Sequence, residues 1–431
     1  MPIPRKSNVM NATPVPRRLR LRLTGTLFAA QSLNTAAQIA PIVLVPIIAA
    51  QLGGSDSLAG LPSTVLLLGR ALAAYPLGWL MDRLGRRPGL ALGFLLGVLG
   101  ALVSLWAIGV GSFVGFCLGA GLSGMSRGAT EQARFAAAEV EPPERRAKAI
   151  GLIVFAGTVG AVAGPLLAPP SVQWASRLGL DPQTGPFAAA ALLTGLAFLL
   201  ILLLLRPDPM HLGRLYPGAD ADGAAPSGDG ADSRAPWRTI LRRDGVRLAL
   251  VAMVVGQLVM TLIMVITPLH MKYHHHGTEA ISWVIMAHTL GMFGLSGLTG
   301  WLVDRFGAVT MVVAGAGILA LSGVTTPLSS GMAWLAMALF LLGLGWNFCF
   351  IAGSSLLSDS LAVEERGRVQ GLAETLVAVA SGLGSLGTGL LFAWSAMVGV
   401  SVLGTGFSLL LIALALWWGR SRPAPAAQPG L

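Results

Sequence analysis

Three ionisable residues lie close together within one apolar stretch of the sequence. Arg127, Glu131 and Arg134 are spaced by four and three residues, which places them on one face of a helix. The acid can pair with either arginine, and one positive charge remains. Such a group either attracts an anionic or polar group of a small molecule, or it is a structural charge cluster whose arginines extend to a membrane surface.

Proton transfer is a second chemistry that ionisable residues of this kind can perform. Two neighbouring arginines should keep Glu131 ionised at neutral pH, so it carries a proton only if a conformational change separates it from one of them. His288 can titrate near neutral pH, or it is a neutral residue bonded to a neighbouring helix. Arg70 is either an anion-binding group or the partner of a carboxylate further along the chain.

Uncharged polar residues could complete a ligand site. Gln31, Asn34 and Gln38 follow helical spacing and suit hydrogen bonding to a ligand; the alternative is polar contacts between helices. Gln257 lies in a stripe of methionines, which suits apolar ligands of varied shape or plain packing. Asn347 could complete the same cavity.

The composition places all of these residues in a membrane. The chain has 431 residues, 54% of them hydrophobic, and a mean hydropathy of +0.72. Only 11% are charged, against about 25% in soluble proteins. A chain of this size cannot cover itself with so few charges, and it is too apolar to be disordered. A soluble enzyme is therefore excluded.

Twelve segments are long and apolar enough to cross a bilayer as helices. They are 23–50, 58–81, 89–107, 111–138, 147–168, 186–205, 247–270, 280–302, 309–327, 332–358, 368–394 and 398–418. The sequence thus predicts an all-α membrane protein in which twelve transmembrane helices form two pseudo-symmetric six-helix bundles. The expected divisions are a basic leader (1–22), an N-terminal bundle (23–206), a flexible cytoplasmic linker (207–245), a C-terminal bundle (246–419) and a tail (420–431).

The charges orient these spans. Of the 29 basic residues, only Arg177 and Lys272 fall in loops on the side opposite the leader, and Arg70, Arg127 and Arg134 lie inside spans. This is the positive-inside pattern, so both termini are expected in the cytoplasm and the protein in the bacterial cytoplasmic membrane. The net charge of +10 is a topology signal, and no nucleic-acid partner is expected.

The two halves repeat each other. The eight residues from Gly78 to Gly85 recur with two changes from Gly300 to Gly307, and Glu144, Arg146 and Gly151 have counterparts at a nearly equal shift. Two signatures at nearly one offset indicate a duplicated six-span unit in parallel orientation. Repeats of this kind place a substrate path at the interface between the halves.

On these residues the sequence resembles the major facilitator superfamily over all twelve spans. The loop between spans 2 and 3 matches the superfamily motif at Gly78, Asp82, Arg83, Gly85, Arg86 and Arg87. The resemblance implies a transporter that works by alternating access, with a central cavity lined mainly by spans 1, 4, 7 and 10. A membrane sensor or scaffold that kept the fold is the alternative from another class, although a static protein needs no such motif.

The resemblance also implies a gate. Asp82 would face the start of span 11, where the helix dipole favours an anion, and an arginine of the motif would pair with Glu139 at the end of span 4. Glu374, less than two turns into span 11, is expected to belong to this cytoplasmic latch. In the second copy Ala308 and Val309 replace the basic pair, so a latch there should be weaker.

Span 5 carries a glycine pattern formed by Gly151, Gly160, Gly164 and Pro165. It resembles, incompletely, the motif associated with proton-coupled drug antiporters; the alternative is generic close packing of helices. Span 4 lacks the mid-span arginine that this family usually has.

The expected function is proton-coupled efflux of small amphipathic compounds or drugs. The alternative is uptake or facilitated diffusion of a polar or anionic metabolite. We expect a monomer in the lipid bilayer whose partners are a small-molecule substrate and protons, without enzymatic activity, cofactor or metal. His274–His276 read as a solvated loop, with metal binding as the alternative, and Cys117 and Cys349 read as core residues.

Overall fold

The computed structural model describes residues 15–42, 44–55, 58, 60–215, 236–276 and 278–419. All regular secondary structure in these residues is helical. The helices, in chain order, are α1 (Arg17–Ile39), α2 (Leu44–Gly53), α3 (Leu61–Leu84), α4 (Arg86–Val110), α5 (Phe113–Thr130), α6 (Ala133–Val140), α7 (Arg146–Arg177), α8 (Gly185–Leu204), α9 (Pro209–Gly213), α10 (Trp237–Ile240), α11 (Asp244–Tyr273), α12 (Thr278–Thr289), α13 (Ser296–Phe306), α14 (Ala308–Thr325), α15 (Met332–Asp359) and α16 (Val363–Gly419).

The predicted fold class is confirmed. Eight stretches of helix among the described residues are long and apolar enough to cross a membrane. They form spans 2, 3, 5, 6, 7, 9 and 10, in α3, α4, α7, α8, α11, α14 and α15, and span 12 in the second part of α16. Span 11 is the first part of α16, which has non-helical backbone at Ala396 between the two spans. The other three predicted spans are each built from two helices.

The interruptions have identifiable local causes. Span 1 breaks between α1 and α2 at Pro41, which cannot donate a backbone hydrogen bond. Span 4 breaks between α5 and α6 at Glu131 and Gln132. Span 8 passes through a π-helical turn at Leu290–Gly294, a feature that frequently lies at functional sites. The break in span 4 therefore falls on a residue that the sequence singled out for chemistry.

Two helix crossings, related by the repeat, join the halves. A Cβ at Gly78 of α3 would lie 2.1 Å from the Gly367 oxygen of α16, and one at Gly300 of α13 would lie 2.5 Å from the Ala147 oxygen of α7. Only glycine allows backbones to approach so closely. The duplicated motif therefore packs span 2 on span 11 and span 8 on span 5.

Each motif then ends in a tight turn. Gly85 and Gly307 have φ of 101° and 87°, a region that favours glycine, and each starts the next helix at once. We call this end of the bundle the motif end.

The predicted linker is folded at both described ends. Asp208 caps the short helix α9, and α10 precedes α11. Ile240 is fully buried in the protein and Trp237 lies 5.9 Å from the Tyr75 ring, so this segment packs on the bundle. The acidic middle of the linker, 216–235, lies outside the described residues, as do positions 1–14 of the leader and the tail 420–431.

Candidate substrate site and gate

A cavity of about 380 Å³ lies between the two halves. Seven predicted residues line it: Gln31, Gln38, Arg70, Arg127, Glu131, Arg134 and Gln257. Apolar surface comes from Met260, Met292, Phe293, Trp346 and Phe350, among others. The cavity therefore combines charged and amide groups from spans 1, 2, 4 and 7 with aromatic and methionine side chains from the C-terminal half.

Glu131 stands at the centre of the charged residues. Its carboxylate accepts from Arg127 Nε at 2.7 Å and from Arg70 Nη2 at 2.5 Å. Arg134 instead donates from Nη1 to the Glu131 main-chain oxygen at 2.8 Å. The expected pairing with Arg127 is present, while the second side-chain partner is Arg70 of span 2.

Glu374 completes the network from the other half. Its carboxylate accepts from Arg70 Nη2 at 3.1 Å and from Arg134 Nη2, and the side chain is fully buried. The described contacts of the Glu374 side chain are with these cavity arginines of the other half, so its expected role in the cytoplasmic latch stays a prediction. Of the two alternatives for Arg70, the structure shows the partner of a carboxylate on span 11.

Arg134 is held from several sides. It donates from Nε to Ser354 Oγ at 3.1 Å, and its guanidinium lies 4.3 Å from the ring centroids of both Phe135 and Phe350. Contacts of this kind stabilise a buried cation. Arg127 differs, since 43% of its side chain is exposed and, among the described residues, only its Nε has a hydrogen-bond partner.

Two predicted cavity residues of the C-terminal half, His288 and Asn347, lie outside the central cavity. His288 is buried and donates from Nδ1 to the Leu339 oxygen at 3.0 Å, which matches its alternative as a residue bonded to a neighbouring helix. The prediction that Asn347 lines the cavity is wrong. Its Nδ2 donates to the Met292 main-chain oxygen at 2.5 Å and to Ser296 Oγ at 2.7 Å, both in span 8. These polar groups join helices within the C-terminal half.

Asn34 points away from the central cavity into a second one. It donates to Thr130 Oγ1 at 3.1 Å and lines a side chamber of about 320 Å³ within the N-terminal half. Gln38, Ile42 and Arg127 line both spaces. The central cavity and the side chamber therefore meet at these three residues.

Gln257 faces the central cavity but is engaged by its neighbours. Its oxygen accepts from Trp346 Nε1 at 2.9 Å, and its nitrogen donates to Thr261 and Ser381 at 3.2 and 3.3 Å. The Trp346 ring is stacked on Phe350 with centroids 4.6 Å apart. This arrangement fixes the aromatic wall.

At the motif end, Asp82 spans the gap between the halves. Its carboxylate accepts from the main-chain nitrogens of Gly367 at 2.6 Å and Arg368 at 2.7 Å, both in the first turns of α16. Arg86 donates to Asp82 at 3.2 Å and to Glu139 at 2.6 to 3.1 Å. The expected contacts of Asp82 and Glu139 are present, with Arg86 as the connecting arginine.

The other two motif arginines remain within their own half. Arg87 donates to the Leu202 oxygen at 2.6 Å, and the Arg83 guanidinium lies 3.8 Å from the Trp79 ring centroid. The two main-chain nitrogens of Arg86 and Arg87 bond to the Asp208 carboxylate at 3.0 and 2.8 Å. Asp208 was missed in the sequence, because it lies far from the motif and in a segment read as a linker.

The second motif makes the same main-chain contact. Asp304 accepts from the nitrogens of Ala147 at 3.0 Å and Lys148 at 2.9 Å, at the start of α7. Burial raises the pKa of Asp304 to about 6, which the two N–H donors only partly offset. Ala308 stands where the first copy has Arg86. Near this crossing an ion pair joins Arg146 of one half to Asp359 of the other at 2.9 Å.

The glycines of span 5 mark close helix contacts. A Cβ at Gly151 would lie 2.2 Å from the Ser296 oxygen, and one at Gly160 would lie 2.5 Å from the Ser32 oxygen. Gly164 packs similarly on Ile39, whereas the side chain of Pro165 lies outside the described residues. The motif thus packs span 5 against spans 1 and 8.

The histidines of the loop after α11 and the two cysteines complete the predicted groups. Within the described residues no three histidine, cysteine or acidic side chains are grouped as for a metal, and His276 Nε2 lies 2.7 Å from the Ser330 oxygen. Cys349 is buried and Cys117 half-buried, and both are free thiols.

Twelve spans in two repeated halves, a cavity between them and ion pairs across it define a membrane transporter. The chain belongs to the major facilitator superfamily, whose sequence model matches residues 27–276 and 248–431. It is accordingly a transporter and not an enzyme. It is 35% identical, over 91% of each chain, to the uncharacterized MFS-type transporter YdeG of Bacillus subtilis.

Two further relatives extend the comparison. The riboflavin transporter RfnT of Brucella anthropi is 31% identical over 80% of this chain and 82% of its own length. The crystal structure of the human organic anion transporter MFSD10 superposes with a TM-score of 0.72 at 18% identity, covering 93% of this chain and all of that one. The latter likeness is one of fold.

Proposed function

We propose that the protein is a secondary active transporter that couples the movement of small amphipathic compounds to protons by alternating access. One observation carries this proposal: Glu374 of the C-terminal half is bonded to Arg70 and Arg134 of the N-terminal half beside the cavity. Any motion that separates the halves at the motif end must break these bonds. Opening and the charge state of the network are therefore linked.

The positive-inside pattern assigns the motif end to the cytoplasm. In this orientation both termini are cytoplasmic and the structure is closed toward the cytoplasm. Asp82 and Asp304, with their main-chain partners, act as the gate, and the Arg86–Glu139 pair supports Asp82. The transporter acts as a monomer, since the cavity and both gate contacts are formed within one chain.

Glu374 is our candidate for the proton-binding group. When the motif end opens, its carboxylate leaves both arginines at a depth where an unpaired charge is costly. Uptake of one proton removes that cost. Glu131 keeps Arg70 and Arg127 in either arrangement because all three belong to the N-terminal half, so it is the poorer candidate.

Two directions of transport have support. Export in exchange for protons is favoured by the span 5 glycine pattern, which resembles that of drug antiporters and packs against spans 1 and 8. Uptake of an anionic metabolite together with protons is favoured by the excess positive charge and by the exposed guanidinium of Arg127.

Vesicles with the purified protein and a pH-sensitive dye inside test the proposal. Compounds are added outside without a starting pH gradient. The panel includes riboflavin, because the relative RfnT is named a riboflavin transporter. Exchange raises the internal pH, whereas joint uptake lowers it. A panel of neutral, cationic and anionic amphipathic compounds that causes no pH change relative to protein-free vesicles would contradict proton coupling.

A further inference from the structure

We propose that the substrate is an amphipathic organic anion of one net charge, with its anionic group on Arg127 and its apolar body in the side chamber. This inference rests on the proposed function and names the substrate class of the same cavity. Sulfonate and carboxylate groups share the required chemistry.

The charge balance of the site sets the charge of the ligand. Arg70, Arg127 and Arg134 face two carboxylates, Glu131 and Glu374, and the other described residues that line the central cavity are uncharged. One positive charge is left beside an apolar space. A monoanion neutralises this excess charge and is therefore the complementary ligand.

Arg127 is the arginine that is available to a ligand. Arg70 and Arg134 are buried and bonded to carboxylates. Arg127 uses only Nε, toward Glu131, and no described residue accepts a hydrogen bond from its two terminal nitrogens. Two parallel N–H groups on a guanidinium match the oxygens of a carboxylate or sulfonate. Glu131 holds the guanidinium through Nε, and Arg127 lines both the central cavity and the side chamber.

The shape of the site sets the form of the ligand. Arg127 lies where the central cavity and the side chamber meet, with Gln38 and Ile42 beside it. The side chamber is walled by apolar groups that include Leu66, Phe116, Phe187 and Ala190. The two spaces, of about 380 and 320 Å³, suit small-molecule ligands. An elongated molecule can therefore place its anion at the junction and its apolar end in the side chamber.

Binding, measured without transport, tests the charge. The full chain in phosphatidylcholine nanodiscs is titrated with biphenyl-4-sulfonate, the neutral biphenyl-4-sulfonamide and the cationic biphenyl-4-methylammonium. We expect the sulfonate to bind at least about tenfold more tightly than the sulfonamide, and the ammonium compound not to bind. Equal affinities for all three would overturn the proposal.

Arg127→Gln should abolish the preference for the sulfonate, and Arg127→Lys should keep part of it. The matched control is Arg177→Gln. This removes an exposed arginine at the C-terminal end of α7, away from the motif end, and should leave all affinities unchanged. A preference that survives Arg127→Gln in a protein with an unaltered gel-filtration profile would place the anion elsewhere.

The side chamber is tested by ligand length. Ala120 lines this chamber and not the central cavity, so Ala120→Leu should weaken biphenyl-4-sulfonate about tenfold or more while benzenesulfonate binds as before. Equal loss for both compounds, or none, refutes the side-chamber placement.

Two further outcomes separate related ideas. Phosphatidylglycerol added to the nanodiscs should not compete with the sulfonate, because competition would identify the anion as a lipid phosphate and overturn a soluble substrate. Tight, Arg127-dependent binding together with no pH change in vesicles would retain the substrate class while refuting proton coupling.

Discussion

Glu374→Gln should open the motif end of the transporter. Gln has the shape of the acid and keeps an oxygen that can accept from Arg70 or Arg134, but it has no charge for either arginine. In our proposal the open arrangement holds Glu374 protonated, and Gln imitates that form. The substitution therefore weakens the closed arrangement and leaves the open one nearly unchanged.

The size of the effect follows from the two bonds of the Glu374 carboxylate. The amide oxygen of Gln can keep one of them, whereas its NH2 group cannot accept from the other arginine. A buried hydrogen bond to a charged group contributes about 1.5–3 kcal/mol, and one such bond is lost. At about 1.4 kcal/mol per factor of ten, the ratio of closed to open molecules should fall roughly 10- to 150-fold.

Spin labels on Cys placed at Arg214 and Glu364 can measure this ratio. These side chains form an ion pair of 2.9 Å and are partly exposed, so their replacement should cost little. Cys117 and Cys349 are first changed to Ser and Ala. The inter-label distance distribution then reports the closed and open populations. Glu365→Gln is the matched control, because this buried acid on the same helix pairs with Arg243 of its own half at 2.6 Å.

The pH dependence gives a second readout. If opening takes up one proton, the closed-to-open ratio of the unsubstituted protein changes by up to about tenfold per pH unit, and this slope should vanish in Glu374→Gln. Burial raises the pKa of Asp304 to about 6 in the closed arrangement, so protonation of Asp304 below that value favours closure, the opposite sense. The titration is therefore run above about pH 6.5.

Two results would refute the reasoning. One is a Glu374→Gln protein that stays as closed as the Glu365→Gln control. The other is a pH slope that persists in Glu374→Gln and disappears in Glu131→Gln. That result would identify Glu131 of span 4 as the proton-binding group.

Three further predictions concern the gate and the network. Asp82→Asn should increase the open population, because it removes the charge that Arg86 contacts, whereas Asp304→Asn should not, because burial already favours the neutral form of Asp304 in the closed arrangement; equal shifts in the label distances would contradict this. Gly371→Ala should also open the motif end, since its Cβ would lie 2.4 Å from the Ala74 oxygen, and an unchanged distance distribution would show that the crossing can adjust. Glu131→Gln should impair coupled transport in vesicles while insertion stays normal by membrane fractionation, because Arg127 and Arg70 lose their common partner.

The spans, the repeat and the gate contacts could be predicted from the sequence, because each depends on hydropathy or on a motif whose spacing fixes its geometry. The partners of Glu374 could not be found this way. Which residues of spans 2 and 4 face span 11 depends on helix rotation and on the break in span 4, and neither is written in a periodic pattern. For the same reason the sequence left the role of His288 open and placed Asn347 wrongly in the cavity, since helices within a bundle can bury a polar group on any face.

The network also predicts the direction in which protons move with an anionic substrate. An anion on the terminal nitrogens of Arg127 reduces the electrostatic attraction between Arg127 and Glu131, so Glu131 draws Arg70 more strongly and weakens the bond from Arg70 to Glu374. A less well paired Glu374 accepts a proton more readily, and by linkage the proton in turn strengthens binding of the anion.

Cooperative binding of an anion and a proton is the requirement for movement in the same direction. The empty transporter closes again because ionised Glu374 returns to Arg70 and Arg134. We therefore expect biphenyl-4-sulfonate, which has no proton of its own to carry, to lower the internal pH of vesicles that contain the transporter. A rise in internal pH would contradict the linkage through Glu131 and restore export by exchange.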